Sequence, residues 1–200
     1  MKRVLIGIAV VIVVLILAVL AVGFMLPEEH HASRTLTTKQ SPQTIWDTIN
    51  DHPNEQSWRS EVQSVNSLGD RNGKPVWQEI YKDGNKVTLI TTESKPPTRI
   101  VRELTDLEGP FSGRWEIDIK PAAGGSTITI TEIGKVSNPF FRFVSKYVIG
   151  HTTFMERYLK GLAGKFGESG DQISTKKPPM SPGRFAPGSV PNVYEINSYR

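Results

Sequence analysis

The sequence predicts an α+β domain. A curved antiparallel sheet of about seven strands wraps one long C-terminal helix, two short helices follow the first strand, and a transmembrane helix precedes the whole. Three observations carry this reading. Strand-like runs follow one another at short intervals, separated by turn chemistry rather than by helices. One of these runs is apolar on one face only, so the sheet needs a cover. The one segment long and apolar enough to supply that cover comes last in the folded region.

The N-terminal helix is read from Val4 to Leu26, 23 residues without a charged or strongly polar side chain. At about 1.5 Å per residue this crosses a hydrocarbon core of about 30 Å. A cleavable signal peptide is the alternative, with "AVG" at Ala21–Gly23 imitating a cleavage site, but its apolar region usually runs to only about 7–15 residues. Lys2 and Arg3 precede the span and "PEEHH" follows it, which places the N-terminus in the cytoplasm and the domain outside. The expected organisation is an anchor over residues 1–26, a linker over 27–32, the domain over 33–168 and a disordered tail over 169–200. The tail is rich in Pro, Gly and Ser and has no apolar period.

Within the domain, "SRTLTTKQS" alternates as a strand does. "SPQTIWDTIND" then opens a helix, with Ser41 as N-cap, Pro42 in the first turn, and Ile45, Trp46 and Ile49 on one face. "HPNEQSW" is a second short helical turn. Six runs follow: "EVQSVNSLG", "KPVWQEIYK", "NKVTLITTES", "TRIVRELTD", "FSGRWEIDIKP" and "GSTITITEIGK". Turns such as "DRNG", "KDGN" and "PAAGG" separate them, and the close spacing favours an antiparallel meander. In "FSGRWEIDIKP", Phe111, Trp115, Ile117 and Ile119 alternate with Ser112, Arg114, Glu116, Asp118 and Lys120, as in a half-buried strand. The last helix is expected from Pro139 to Phe166, capped by Asn138.

In this order the motifs "SPQTIWDTIND", Trp58, "KPPTRIVRE", "GPFSGRWEIDIKP" and "GSTITITEIG", followed by the closing helix, resemble the SRPBCC or START-like superfamily of helix-grip proteins. That superfamily includes polyketide cyclase/dehydrase-like proteins, pollen allergens and lipid-transfer domains. The resemblance covers about Ser33 to Glu168. It implies an apolar cavity between sheet and long helix and says little about chemistry, since one fold carries many functions.

Composition removes several classes. There is no cysteine, so disulfides, thiolate metal sites and cysteine nucleophiles are out. The net charge is +4, but residues 28–168 hold equal numbers of basic and acidic residues, and the surplus sits at the two ends. A nucleic-acid binder concentrates its basic groups on the folded face, so no nucleic-acid partner is expected. Neither a nucleotide-binding nor a hydrolase motif is present, and no cofactor, metal site or catalytic set is assigned. His30 and His31 fall in the expected linker. His52, before Pro53, reads as an exposed turn residue. Glu79 shares a strand face with Trp77 and Tyr81 and reads as solvated, because an unpaired buried carboxylate is costly; an inward Glu79 would be a cavity acid.

His151 is central on the last helix. At about 100° per residue, Phe140, Val144, Tyr147, Val148, Phe154, Met155, Tyr158 and Leu162 share its face. It reads as a core histidine, as a polar contact for a ligand, or as a general acid or base without an identifiable partner. The candidate ligand-binding residues are Trp58, Trp77, Tyr81, Trp115 and Ile117, with Val144, Tyr147, His151, Phe154 and Tyr158 from the helix. The resulting expectation is membrane-anchored binding of a small hydrophobic, lipid-like or quinone-like ligand without catalysis. A cyclase or dehydratase acting on an apolar substrate is one alternative, and an envelope interaction protein with a filled core is another.

Overall fold

The computed structural model describes residues 1–105 and 110–174. Helix α1 (Lys2–Met25) is apolar along its whole length, and only Gly23 in it is buried. Strand β1 (Glu29–Thr38) follows it after three intervening residues. Helix α2 (Pro42–Asn50) follows, with the Ser41 side chain accepting the Thr44 N–H at its start, and then a 3₁₀ turn, His52–Ser57. The meander consists of β2 (Val62–Arg71), β3 (Lys74–Tyr81), β4 (Lys86–Lys95), β5 (Arg99–Thr105), β6 (Phe111–Ala122) and β7 (Gly125–Val136). With a two-residue β8 (Ile173–Ser174), these strands form one antiparallel sheet in the order β2-β3-β4-β5-β6-β7-β1-β8.

The sheet extends past β7 because β1 returns to pair with it over its full length, from Glu29↔Lys135 to Thr38↔Ser126. This corrects the expected linker at 27–32. Strand β7 runs on to Val136 and offers β1 partners as far back as Glu29, so His30 and His31 are strand residues. Only residues 26–28 connect α1 to the sheet.

The closing helix is not continuous. Asn138 caps α3 (Pro139–Val144), a π-helical turn occupies Ser145–Ile149, and Gly150 breaks the chain at φ 82° before α4 (Thr153–Lys165). The Gly150 N–H reaches back five residues to the Ser145 carbonyl at 2.9 Å. Positive φ is open to glycine at little cost and ends a right-handed helix. The two halves therefore obey separate periodicities. In α4, Met155, Tyr158, Leu159 and Leu162 recur at helical spacing and face inward. They join Leu36, Ile45, Ile49, Ile117, Ile119, Ile128 and Ile130 in one core. Phe140, Tyr147, Val148 and Phe154, expected on that same stripe, are exposed, as is Ile149.

Polar ties fix α4 at both ends. Arg34 of β1 donates to Glu156 at 2.7 Å and to Thr152 at 2.9 Å. Beyond the helix, Glu168 accepts from the Thr38 hydroxyl, the Lys39 N–H and the Gln40 amide. Residues 169–174, expected to begin a disordered tail, form a short 3₁₀ turn and β8 instead, because Ile173 packs against the core and pairs with Leu36. The rest of that tail, residues 175–200, lies outside the described residues.

Two glycines of α4 test this packing in opposite directions. A Cβ at Gly161 would run into the Trp58 carbonyl, whereas one at Gly164 meets nothing within 4 Å. Alanine gains up to about 1 kcal/mol over glycine inside a helix. Gly164→Ala is therefore expected to raise the melting temperature by a few degrees and Gly161→Ala to lower it, as read by thermal unfolding in detergent. Equal gains for both variants would contradict the close α4–Trp58 contact.

Candidate functional site

Helices α4 and α2 together cover the part of the inner sheet face built from β1, β6 and β7. Over β2 and β3 the cover is the 3₁₀ turn, and there the interior is charged. Arg59, just after that turn, donates to both oxygens of Glu79 on β3 at 2.6 and 2.8 Å, and to Glu55 at 2.6 Å. The Tyr81 hydroxyl donates to Glu79 at 2.6 Å. The Glu55 side chain is fully buried, and its other oxygen meets His52 Nδ1 at 2.6 Å. Burial pushes the Glu55 pKa up, but the His52 hydrogen bond and the charges of Arg102 and Arg59 outweigh it and hold the carboxyl below its ordinary value. Arg59, despite its burial, is held charged by Glu79, Tyr81 and Glu55. A buried pair of this kind adds little net stability. Removing one partner, however, costs about 3–5 kcal/mol, because the other charge is left unpaired.

Glu79 is thus an inward acid, not a solvated one. The desolvation cost that argued for exposure is met by a bidentate arginine. His52 is likewise not an exposed turn residue: it is 6% exposed, held by Glu55 and lying 4.2 Å from the Trp77 ring.

Two buried polar atoms here find no hydrogen-bond partner among the described residues, Arg102 Nε on β5 and the Tyr158 hydroxyl on α4. Burial pushes the Tyr158 hydroxyl up to about 12, so it is a protonated donor at neutral pH. The Tyr158 ring packs edge-on against Trp58 and Trp115 at 5.1 and 5.6 Å, and the Arg59 guanidinium lies 5.2 Å from its centre. Arg102 donates to the Ile49 carbonyl at 2.6 Å and to the Asn50 side chain at 3.3 Å.

Beside this cluster a groove of about 350 Å³ opens between the end of α2, the 3₁₀ turn, β3 and β4. Trp77, Pro75 and Ile100 give it apolar walls, and His52, Asn50, Thr91, Thr92 and Glu93 give it polar ones. Small-molecule sites usually occupy about 300–1,000 Å³ and combine apolar walls with a few directed polar groups. His52 and Asn50 connect the groove to the buried charges through Glu55 and Arg102.

A second, smaller pocket of about 90 Å³ lies at the foot of α1, lined by Leu26, Pro27, Glu28, His30, Val136, Arg142, Lys146 and His151. His30 and His151 stack there with ring centres 3.9 Å apart. His30 bonds Glu132 at 2.9 Å, Trp115 donates to the other Glu132 oxygen at 2.7 Å, and Ser145 lies 3.3 Å from His151 Nδ1. Gly134, opposite His30 in the ladder, leaves room for the imidazole, since a Cβ there would strike the ring.

A family model described as polyketide cyclase / dehydrase and lipid transport matches residues 29–167. The chain belongs to this family. No curated protein matches the chain significantly. Among solved structures it is similar to TTHA0849 of Thermus thermophilus, with 20% identity, a TM-score of 0.53, and coverage of 68% of this chain and 95% of that one. It is similar to a conserved protein of Geobacillus kaustophilus at 14% identity and a TM-score of 0.53, covering 68% and 94%. The di-domain ARO/CYC StfQ of the steffimycin biosynthetic pathway gives 9% identity and a TM-score of 0.54, and covers 66% of this chain. The chain spans about half of StfQ, 49% of its length. At these identities the likeness is one of fold: the helix-grip arrangement of a family associated with hydrophobic ligands.

Within this family fold the candidate ligand-binding residues separate. Trp77 lines the groove, and Tyr81 joins the ion cluster behind it. Trp58, Ile117 and Tyr158 are core, and Trp115 is tied to Glu132. His151 sits at the other pocket, Val144 is half-buried, and Tyr147 and Phe154 face outward beyond the Gly150 break. Sequence reasoning missed His52, Glu55, Arg59 and Arg102 as site residues. The spacing H-x-x-E-x-x-x-R across the 3₁₀ turn and the residues just after it was the available signal, since His52 and Glu55 lie one 3₁₀ turn apart and Arg59 four residues beyond Glu55.

Burial and the neighbouring His30 push the His151 pKa below its ordinary value; Glu132 opposes this and Lys146 adds to it. A histidine depressed in the folded state contributes stability above its unfolded pKa of about 6.5, and that contribution is lost as pH falls through the folded value. Between pH 7.5 and 5.5 the wild type is expected to lose more stability than His151→Phe, in denaturant unfolding at each pH. Identical pH slopes would contradict a depressed His151.

Proposed function

We propose that the protein holds a small amphipathic, mainly apolar ligand in the groove formed by β3, β4 and the His52 turn, and that α1 anchors it in a membrane. The observation that carries this reading is the groove itself, with an apolar Trp77 wall, a His52–Glu55 pair facing it, and a buried ion cluster with two unpaired polar atoms behind it. Family membership supports a hydrophobic ligand. The anchor reading draws on α1, the one described helix long and apolar enough to cross a membrane. Lys2 and Arg3 favour a cytoplasmic N-terminus and an extracytoplasmic domain.

The groove differs from the cavity expected between sheet and long helix. That space is occupied by Ile117, Ile119, Ile128, Ile130, Met155 and Leu159, all fully buried in one core. Binding therefore falls to the half of the sheet that α4 does not cover.

A second reading rests on His52. Its Nδ1 is fixed by Glu55 at 2.6 Å, the orientation a general base needs, and it lines the groove. On this reading His52 takes a proton from a substrate seated against Trp77.

Native mass spectrometry of the full chain released from detergent is the test. Wild type is expected to carry an additional small amphiphile, and Trp77→Arg, which fills the groove with charge, to lose it while keeping its melting temperature. Retention by Trp77→Arg, or detergent alone in the wild type, would overturn binding at the groove. The same preparation separates the two readings. A bound mass that changes on incubation with wild type but not with His52→Gln supports catalysis, and an unchanged mass supports binding alone.

A further inference from the structure

The first half of the broken closing helix and the start of α4 carry a run of exposed apolar residues. Tyr147 is 57% exposed and Val148 70%, with Ile149, Phe140 and Phe154 beside them in sequence. Soluble surfaces carry single apolar side chains, whereas a contiguous cluster marks an interaction face. This cluster lies where α1 enters the domain. A Cβ on Gly23 would strike the Pro139 carbonyl, so the last turn of α1 lies directly against the start of α3. Arg142 of α3 donates to the Leu26 carbonyl at 3.3 Å and to Glu28 at 2.6 Å, and so clamps the connection. With only residues 26–28 between α1 and β1, the domain has no slack with which to leave the exit point of the helix.

We infer that the segment from Phe140 to Phe154 is a second membrane contact, lying in the headgroup layer of the bilayer that α1 crosses. This inference rests on the reading of α1 as a retained span. A 24-residue helix is about 36 Å long, longer than a hydrocarbon core of about 30 Å, so its final turn and the α3 backbone packed on it fall at interfacial depth. Aromatic and aliphatic side chains with cations at their rim suit that layer. Tyr147 and Phe154 provide the former, and Lys146 and Arg157, packed against those same rings, provide the latter. The Gly150 break makes the arrangement possible. It separates residues 140–149 from the stripe that α4 buries and leaves Phe140, Tyr147, Val148 and Ile149 exposed. The domain is thereby held in one orientation, with β6 running away from the bilayer, from Phe111 beside Phe141 to Ala122 at the far end.

The chain has no cysteine, so one introduced thiol labels one site. Full-length Val148→Cys, Val11→Cys and Lys120→Cys, each carrying an environment-sensitive fluorophore, would be placed in vesicles of phosphatidylcholine and phosphatidylglycerol with nitroxide lipids labelled at shallow or deep positions. The expected result is a blue shift and shallow-nitroxide quenching at 148, deep quenching at 11, and neither at 120. Quenching at 11 with a solvent-exposed label at 148 overturns the inference and leaves the anchor intact. A blue shift at 148 without lipid quenching also overturns it, because another protein surface, such as a second copy, then covers the patch. Absence of quenching at 11 overturns the anchor reading and this inference with it.

Discussion

The Arg59 guanidinium stands between two buried carboxylates, and the open half of the sheet is organised around it. Glu79 comes from the middle of β3 and Glu55 from the 3₁₀ turn, so a single side chain ties the turn to the sheet. If the arginine were removed, two carboxylates would share a dry space, and their repulsion would drive the turn outward. The placement of His52 is tied to this, because the Glu55 carboxylate that Arg59 holds also holds the imidazole. The groove follows in turn, since His52 and the Trp77 ring against it form part of its wall.

The inner face of the sheet changes in chemistry across its width. Under α4 the inner face is isoleucine, leucine and methionine packed without charge, and it gives the fold its cohesion. Over β2 and β3 the same face carries Glu79 and Tyr81, with Trp77 facing the groove. At the foot of α1 a third environment holds the stacked histidines and Glu132. The helical side of that packing comes from α4 and the short helix α2.

Much of the fold was legible in the sequence, because period-two alternation and turn residues are local signals. The alternation in "FSGRWEIDIKP" placed Ile117 and Ile119 inward, and Ser41, Pro42 and Asn138 marked real helix starts. The site was less legible because its cause is not local. Glu79 looked too costly to bury until a partner twenty residues earlier in the chain met it, and nothing in the strand itself announces Arg59. His52 beside Pro53 has the local chemistry of an exposed turn, and only the tertiary position of Glu55 and Trp77 buries it. The stripe around His151 departs from expectation for a local reason. Its helical wheel assumes a straight helix, and one left-handed glycine at the adjacent position moved half the stripe to the surface.

The central claim is that ligand lies against β3 and β4, not between the sheet and α4. Photo-crosslinking the full-length, membrane-reconstituted protein with a diazirine-bearing fatty acid, followed by peptide mapping, tests it most directly. Adducts are expected within Lys74–Trp77 and Thr91–Ser94, the strands that line the groove. Adducts confined to Leu36, Ile128 or Met155, in the core beneath α4, would contradict it.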